Sequence, residues 1–129
     1  MNKAIGITSM QSSYTVKETI DRLENILRSK GLTVFARIDQ QAAAQTAGLK
    51  MPALELLLFG NPKSGTPLMV AEPLSGIDLP MKAMAWEDAA GNTWLSYNNL
   101  SYLQERFSLA VELMKPLAAV ETLLKAALV

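Results

Sequence analysis

The sequence contains neither histidine nor cysteine, and these two absences remove much of the usual chemistry of active sites. Without cysteine there are no disulfides, thiolate nucleophiles or thiolate metal ligands. Without histidine the commonest metal ligand is missing, together with the side chain that titrates near neutral pH. We therefore predict no metal site and no cofactor. Acid–base catalysis would require a carboxylate, lysine or tyrosine with a shifted pKa.

Net charge and long apolar runs are also lacking. Twelve basic and twelve acidic residues cancel, so no overall field favours nucleic acid or an anionic membrane as a partner. No apolar run approaches the roughly 20 residues of a membrane span, and the run that follows Met1 is too short for a signal-peptide core. We expect a cytoplasmic, soluble protein without a nucleic-acid or membrane partner.

Half of the 129 residues are apolar, which is enough for the core of one domain over residues 1–129. Their spacing separates strands from helices. Alternating or continuous apolar segments predict strands at 3–10, 32–38, 53–59, 81–87 and 93–98. Helices are predicted at 16–30, 40–46, 68–72, 102–107 and from about 109 or 116 onwards. The order β-α-β-α-β-(α)-β-β-α predicts an α/β fold of the α+β type, with a single mixed sheet of about five strands and helices mainly on one face.

Three local predictions depend on side-chain patterns. In the second strand, Leu32, Val34, Ala36 and Ile38 are expected to share one face. In the third strand, Glu55 is expected to be exposed to solvent near the strand start. The last helix has an apolar stripe through Leu117, with Met114, Leu123 and Val129 outside it. Because large exposed apolar patches usually mark interfaces, these outlying residues predict a homodimer.

The main candidate site is the turn between the third strand and the next helix. It is predicted to comprise Gly60, Asn61, Lys63, Ser64, Gly65 and Thr66, with Asp78 close by. Two glycines with four residues between them resemble a phosphate-binding loop, but that loop requires Lys and Ser or Thr directly after the second glycine. Thr66 and Pro67 stand there instead, which argues against a nucleotide triphosphatase. A weaker site for a small anionic ligand remains, formed by loop N–H groups, the Thr66 hydroxyl and Lys63.

The same residues have a simpler interpretation as a tight turn before a helix with Thr66 as N-cap and Pro67 at its first position. A helix N-terminus contributes only about 0.3–1 kcal/mol to anion binding. Even a millimolar ligand needs about 4 kcal/mol. Further contacts would therefore be necessary for a binding site.

An ordered set of motifs resembles one known family. It consists of the segment from Gly60 to Met69, then 78–82, then 86–88 and 94–98. These motifs, with further matches in 18–19, 31–39 and 42–44, resemble the domain-of-unknown-function family 302. The resemblance implies a compact α/β domain that often packs as a homodimer, with no established activity. Members commonly carry His where Gln40 stands and often near Phe107. If the function of the family uses those histidines, this chain has lost that function or performs it differently.

Three functional alternatives remain open. The first is a small-ligand or anion-binding module, sensory or a carrier, that uses the Gly60–Thr66 turn with Lys63. The second is an enzyme in the same cleft, with Asp78 as base and Lys63 or Tyr97 assisting, although the missing histidine and cysteine weigh against it. The third is an interaction protein that dimerises through an apolar sheet face and its last helix.

Overall fold

The computed structural model describes residues 4–129 and contains one five-stranded sheet. The strands are β1 (Ile7–Ser12), β2 (Thr33–Asp39), β3 (Leu54–Gly60), β4 (Met81–Glu87) and β5 (Thr93–Asn98). Their spatial order is β1-β5-β4-β3-β2. The helices are α1 (Val16–Ser29), α2 (Gln40–Thr46), α3 (Pro62–Ala71), α4 (Leu100–Phe107), α5 (Val111–Met114) and α6 (Val120–Ala126). Short 3-10 turns occupy Pro73–Ile77 and Lys115–Leu117.

The predicted α+β fold with a single five-stranded sheet is confirmed. Every strand pairing is antiparallel, so the sheet is purely antiparallel and not mixed as predicted. The reason is that the first strand pairs with the last, and each other neighbour is reached by a reversal of the chain. Strand β1 covers 7–12 where 3–10 was predicted, and Lys3 lies outside the described residues.

Helix α1 forms where its capping signals predict. The Thr15 hydroxyl accepts from the Glu18 backbone N–H, and the Glu18 carboxylate accepts from the Thr15 N–H. These two bonds satisfy donors that a helix start otherwise leaves free. The apolar stripe of the helix, which contains Ile20, Leu23 and Leu27, is fully buried against the sheet.

One core lies between the inner face of the sheet and the helices. Leu57 and Phe59 of β3, Ala83 and Ala85 of β4, and Leu95 of β5 are all completely buried there. The alternate residues of these strands point to the opposite face and do not belong to this core. That opposite face carries half-buried apolar side chains, including Leu54, Leu56, Leu58, Met84 and Trp86.

A β-bulge in β2 overturns two of the local predictions. The register shifts between Val34 and Ala36, so the alternation of the strand reverses after Phe35 and Arg37 turns toward α1. Glu55, predicted to be wet, is 8% exposed and pairs with Arg37, whose Nε donates to Glu55 Oε1 at 2.8 Å. Sequence alternation missed this because a bulge adds one residue without a composition signal.

The guanidinium of Arg37 joins β2, β3 and α1. Besides Glu55, it contacts Asp21 at 2.7 Å and Glu24 at 3.3 Å, both on α1. Burial opposes the charge of Arg37, but the hydrogen bonds to Glu55 and Asp21 outweigh it and raise its pKa above the ordinary value. The pKa of Asp21 is lowered, chiefly by hydrogen bonds from Lys17 and Arg37. Arg37 and Asp21 therefore both remain ionised at neutral pH.

The C-terminal region differs from the long helix predicted for it. Pro116 falls inside a 3-10 turn that separates α5 from α6, because its ring prevents a continuous helix. Met114, predicted to lie outside the apolar stripe, is 7% exposed and belongs to the core. Leu123 is half-buried, and Val129 alone of the three is strongly exposed. The C-terminal region therefore offers less interface than predicted.

Among residues 4–129, no helix combines the length and apolar character needed to cross a bilayer.

Substitution of the Arg37–Glu55 pair tests how much the buried carboxylate of Glu55 depends on its partner for the stability of the protein. Replacement of Arg37 by Leu leaves the Glu55 carboxylate buried without its partner, and we expect a loss of about 3 kcal/mol in the free energy of unfolding. The double variant Arg37→Leu/Glu55→Leu should recover most of this loss, since it also removes the buried charge. Urea unfolding of the wild type and both variants measures the difference. Equal stability of the two variants would contradict the role of Glu55.

Candidate functional site

The predicted turn after β3 is the first part of α3. Asn61 is the N-cap: its side-chain oxygen accepts from the Lys63 N–H at 3.0 Å. The N–H groups of Ser64 and Gly65 both donate to the Asn61 carbonyl at 2.9 Å. Pro62, which lacks an N–H, occupies the first helical position. The prediction that Thr66 and Pro67 begin this helix was wrong, because Asn61 and Pro62 provide an equivalent start five residues earlier.

This helix start borders an apolar cleft with a volume of about 150 Å³. The cleft lies between the end of β3, the start of α3 and the C-terminal region. One wall consists of Gly60, Asn61, Pro62, Ser64, Gly65 and Met69. The other walls are formed by Leu32, Phe35, Leu79, Pro80, Met81, Pro116, Leu117, Ala119, Val120 and Leu123. Asn61 and Ser64 supply the polar side chains of this lining, and no charged residue among residues 4–129 takes part in it.

The structure divides the predicted site residues into two groups. Four of them line the cleft: Gly60, Asn61, Ser64 and Gly65. The other three, which include both charged residues, do not belong to its lining. Lys63 and Thr66 are exposed on α3. Asp78 forms an ion pair with Arg106 of α4 at 2.7 Å.

The side chains considered for catalysis are not brought together in this cleft. Tyr97 is 4% exposed and donates its hydroxyl to Glu121 at 2.8 Å. Burial raises the pKa of Tyr97, and the bond to the Glu121 carboxylate raises it further. Its hydroxyl therefore stays protonated at neutral pH. Within residues 4–129, no group of three or more acidic side chains is placed to hold a metal ion.

Sequence reasoning missed most of the apolar wall. Phe35, Met69, Leu79 and Leu123 come from four separate segments, and the sequence pattern indicated none of them as part of the candidate site. Phe35 was expected to follow a regular alternation, whereas the bulge places it at the cleft edge with 55% exposure. Only the glycine and proline residues at 60–65 signalled the position of the site.

Comparison with known proteins identifies the family of the chain. The model of a family described as "Domain of unknown function DUF302" matches residues 8–128. The chain belongs to this family. A solved DUF302 protein, the "uncharacterized conserved protein DUF302 from Bacillus stearothermophilus", has the same fold with a TM-score of 0.78. The two chains are 25% identical, and the similarity covers 97% of each. The resemblance predicted from the motifs is therefore confirmed.

Longer relatives of this DUF302 chain carry a different name. Proteins named "Fluoride-specific ion channel FluC 1" from Brucella suis biovar 1 (strain 1330) and Brucella abortus biovar 1 (strain 9-941) are each 43% identical to it over 106 residues. The match covers 82% of this chain, but only 42% and 39% of those proteins. More than half of each relative therefore lies outside the shared part.

The resemblance implied a departure from the family pattern at Gln40 and near Phe107. Gln40 is the exposed first residue of α2, and Phe107 is the half-buried last residue of α4. Neither is among the cleft-lining residues. The absence of histidine at these positions consequently leaves the walls of the cleft unchanged.

The geometry at Gly65 predicts that replacing this glycine by alanine stabilises the protein, whereas in a tight turn the same replacement would destabilise it. Gly65 lies inside α3 without a positive φ, and a methyl group added there would have no heavy atom within 4 Å. Gly65→Ala should stabilise the protein by about 0.5–1 kcal/mol, because alanine restricts the unfolded chain and favours helix.

The matched control is Gly91→Ala, at a position with a φ of +85°. There alanine is strained, and we expect a loss of about 1 kcal/mol. Thermal unfolding of both variants measures the effects. Destabilisation by Gly65→Ala would mean that residues 60–65 form a strained turn and not a helix start.

Proposed function

We propose that this DUF302 chain is a small-ligand-binding module that holds an apolar ligand in the cleft beside Asn61. The main observation in support is the composition of the cleft, whose described walls are apolar except for Asn61 and Ser64. Concave, mostly apolar sites with a few polar groups are the usual form of small-molecule sites. The predicted residues Gly60, Asn61, Ser64 and Gly65 belong to this site, whereas Lys63, Thr66 and Asp78 do not line it.

The start of α3 argues for a neutral ligand over the small anion that the sequence suggested. An anion at a helix N-terminus is bound by free backbone N–H groups. Here the N–H groups of Lys63, Ser64 and Gly65 already donate to Asn61. Few donors are therefore left for an anion, while the apolar walls gain free energy when an apolar ligand displaces water.

A sensory role is supported by the longer relatives. In the two Brucella proteins, the shared part is joined to further chain in a protein named for fluoride channel activity. We infer that the DUF302 module acts there alongside a channel, and that ligand binding in the cleft regulates its partner. For the present chain, we propose the same ligand-dependent regulation and no catalysis, with the cytoplasm as the predicted compartment.

Methionine methyl NMR tests the ligand site locally. Met69 and Met81 line the cleft, whereas Met84 lies on the opposite face of the sheet. Acetophenone, a neutral aromatic probe, should shift the methyl signals of Met69 and Met81 and leave Met84 unchanged. Absence of any shift at Met69 and Met81 up to millimolar probe would contradict the proposal.

A pair of neighbouring variants makes this test specific. Ala119 is exposed and lines the cleft, whereas the equally exposed Ala118 does not. Ala119→Phe should fill the cleft and abolish the shifts, while Ala118→Phe should preserve them. Lys63→Ala should also preserve them. If phosphate or fluoride instead produced shifts that Lys63→Ala removed, the anion alternative would be favoured.

A second candidate function is self-association through the outer face of the sheet. One row across this face contains Ile38, Leu56 and Met84 from neighbouring strands, and it continues through Ser96 to Ser9. Five strands about 4.8 Å apart and about 20 Å long present roughly 500 Å². A standard interface buries about 800 Å² per partner. The sheet face therefore supplies most of the surface for the homodimer that the sequence predicted.

Sedimentation of the protein at about 50 μM, well above the dissociation constant of an ordinary homodimer, tests this candidate. We expect a dimer that Met84→Lys dissociates, because the new charge would be desolvated at the centre of the interface. Val70→Lys is the control, since Val70 is 76% exposed on α3. A wild-type monomer, or equal dissociation by both variants, would contradict an interface on the sheet face.

A further inference from the structure

The part of the chain that the structure describes places no charged side chain in the lining of the cleft to match an ionic ligand. Lys63 next to it is exposed and outside the lining, and Asp78 is held by Arg106. An ionised group that entered the cleft would lose water without gaining a counter-charge, which strongly disfavours binding. The part of a ligand inside the cleft must therefore be uncharged.

The size of the cleft limits the ligand further. A cavity of about 150 Å³ with aliphatic and aromatic walls is large enough for a benzene-sized molecule. The ligand, or the part of it that enters, then has roughly six to ten non-hydrogen atoms. Phe35, Met69 and Leu123 on different walls offer contact surface for a flat or branched apolar body.

Two polar side chains of the lining have unused hydrogen-bonding capacity. Asn61 uses its side-chain oxygen for the Lys63 N–H, but no other group in residues 4–129 accepts from its amide nitrogen. The Ser64 hydroxyl has no hydrogen-bond partner within the same residues, although α3 places it one turn from Asn61. Neither atom is a fully buried polar group without a partner, so both remain accessible.

From these features, and resting on the proposed ligand site, we infer the class of ligand. The cleft takes a neutral molecule with an apolar body and one hydrogen-bond acceptor, such as a ketone, amide or ester oxygen. The apolar walls hold the body, and the acceptor receives hydrogen bonds from the Asn61 amide and the Ser64 hydroxyl. This assigns Asn61 a second role besides its capping of α3.

Three probes of nearly the same size and shape separate the contributions of the apolar body, the hydrogen-bond acceptor and the charge of the ligand. Acetophenone carries a carbonyl acceptor, α-methylstyrene replaces that oxygen with a methylene group, and benzoate replaces the acetyl group with a charged carboxylate. The protein variant is Asn61→Gly/Ser64→Ala, which removes both donors without adding a charge to the cleft. Glycine is tolerated as an N-cap at a cost of only a few tenths of a kcal/mol, so α3 keeps its start. Dissociation constants are read from the methyl shifts of Met69 and Met81.

We expect the double variant to bind acetophenone about three- to tenfold more weakly than the wild type, the range that one or two neutral hydrogen bonds give. Its affinity for α-methylstyrene should be unchanged, and benzoate should produce no shift in the wild type. If both neutral probes bind but the variant weakens neither or both equally, the roles of Asn61 and Ser64 are wrong and the ligand site stands. Benzoate binding as tightly as acetophenone would overturn the neutral class. If no probe shifts Met69 or Met81, the proposed function itself fails.

Discussion

The structure depends on the packing of α1 against one face of the antiparallel sheet. The stripe of Ile20, Leu23 and Leu27 is completely buried there. On the sheet side, Leu57 and Leu95 are buried in the same core. Burial of about five large apolar side chains contributes roughly 10 kcal/mol, comparable with the total stability of a small domain. Since this contact determines which face of each strand is inside, it also leaves the apolar residues of the outer face outside the core.

The cleft is a consequence of how the remaining helices complete that core. The C-terminal region packs beside α1 and α3, and Pro116 breaks it into short pieces. Leu117 and Val120 enter the core, whereas the turn of chain between α5 and α6 also faces the start of α3. A gap remains between the end of β3, the start of α3 and the start of α6. Its walls are apolar because all three segments contribute apolar side chains. Ligand binding there would connect the C-terminal region with the sheet.

The sequence was informative where local chemistry determines structure. The helices predicted at 16–30 and 40–46 are present, with Thr15 and Asp39 as their caps, and so are the strands predicted at 81–87 and 93–98. Sequence-based prediction failed where contacts between residues distant in the chain determine burial. Glu55 is charged and its burial depends on Arg37, which only a bulge turns inward.

The site shows the same limit. Residues 60–65 marked its position because glycine and proline are unusual at the end of a buried strand. Its chemical character depends on Phe35, Leu79 and Leu123, whose apolar side chains carry no local signal of a cleft. The charged Lys63 drew attention to an anion, and only the structure placed it outside the lining.

The central claim, that the cleft is an apolar site able to hold a small neutral molecule, is tested most directly by crystallography under xenon pressure. Xenon binds in apolar cavities, and its anomalous signal locates it without ambiguity. We predict a xenon atom between Phe35, Met69 and Leu123. A cleft without xenon, filled by ordered water or closed by its side chains, would contradict the claim.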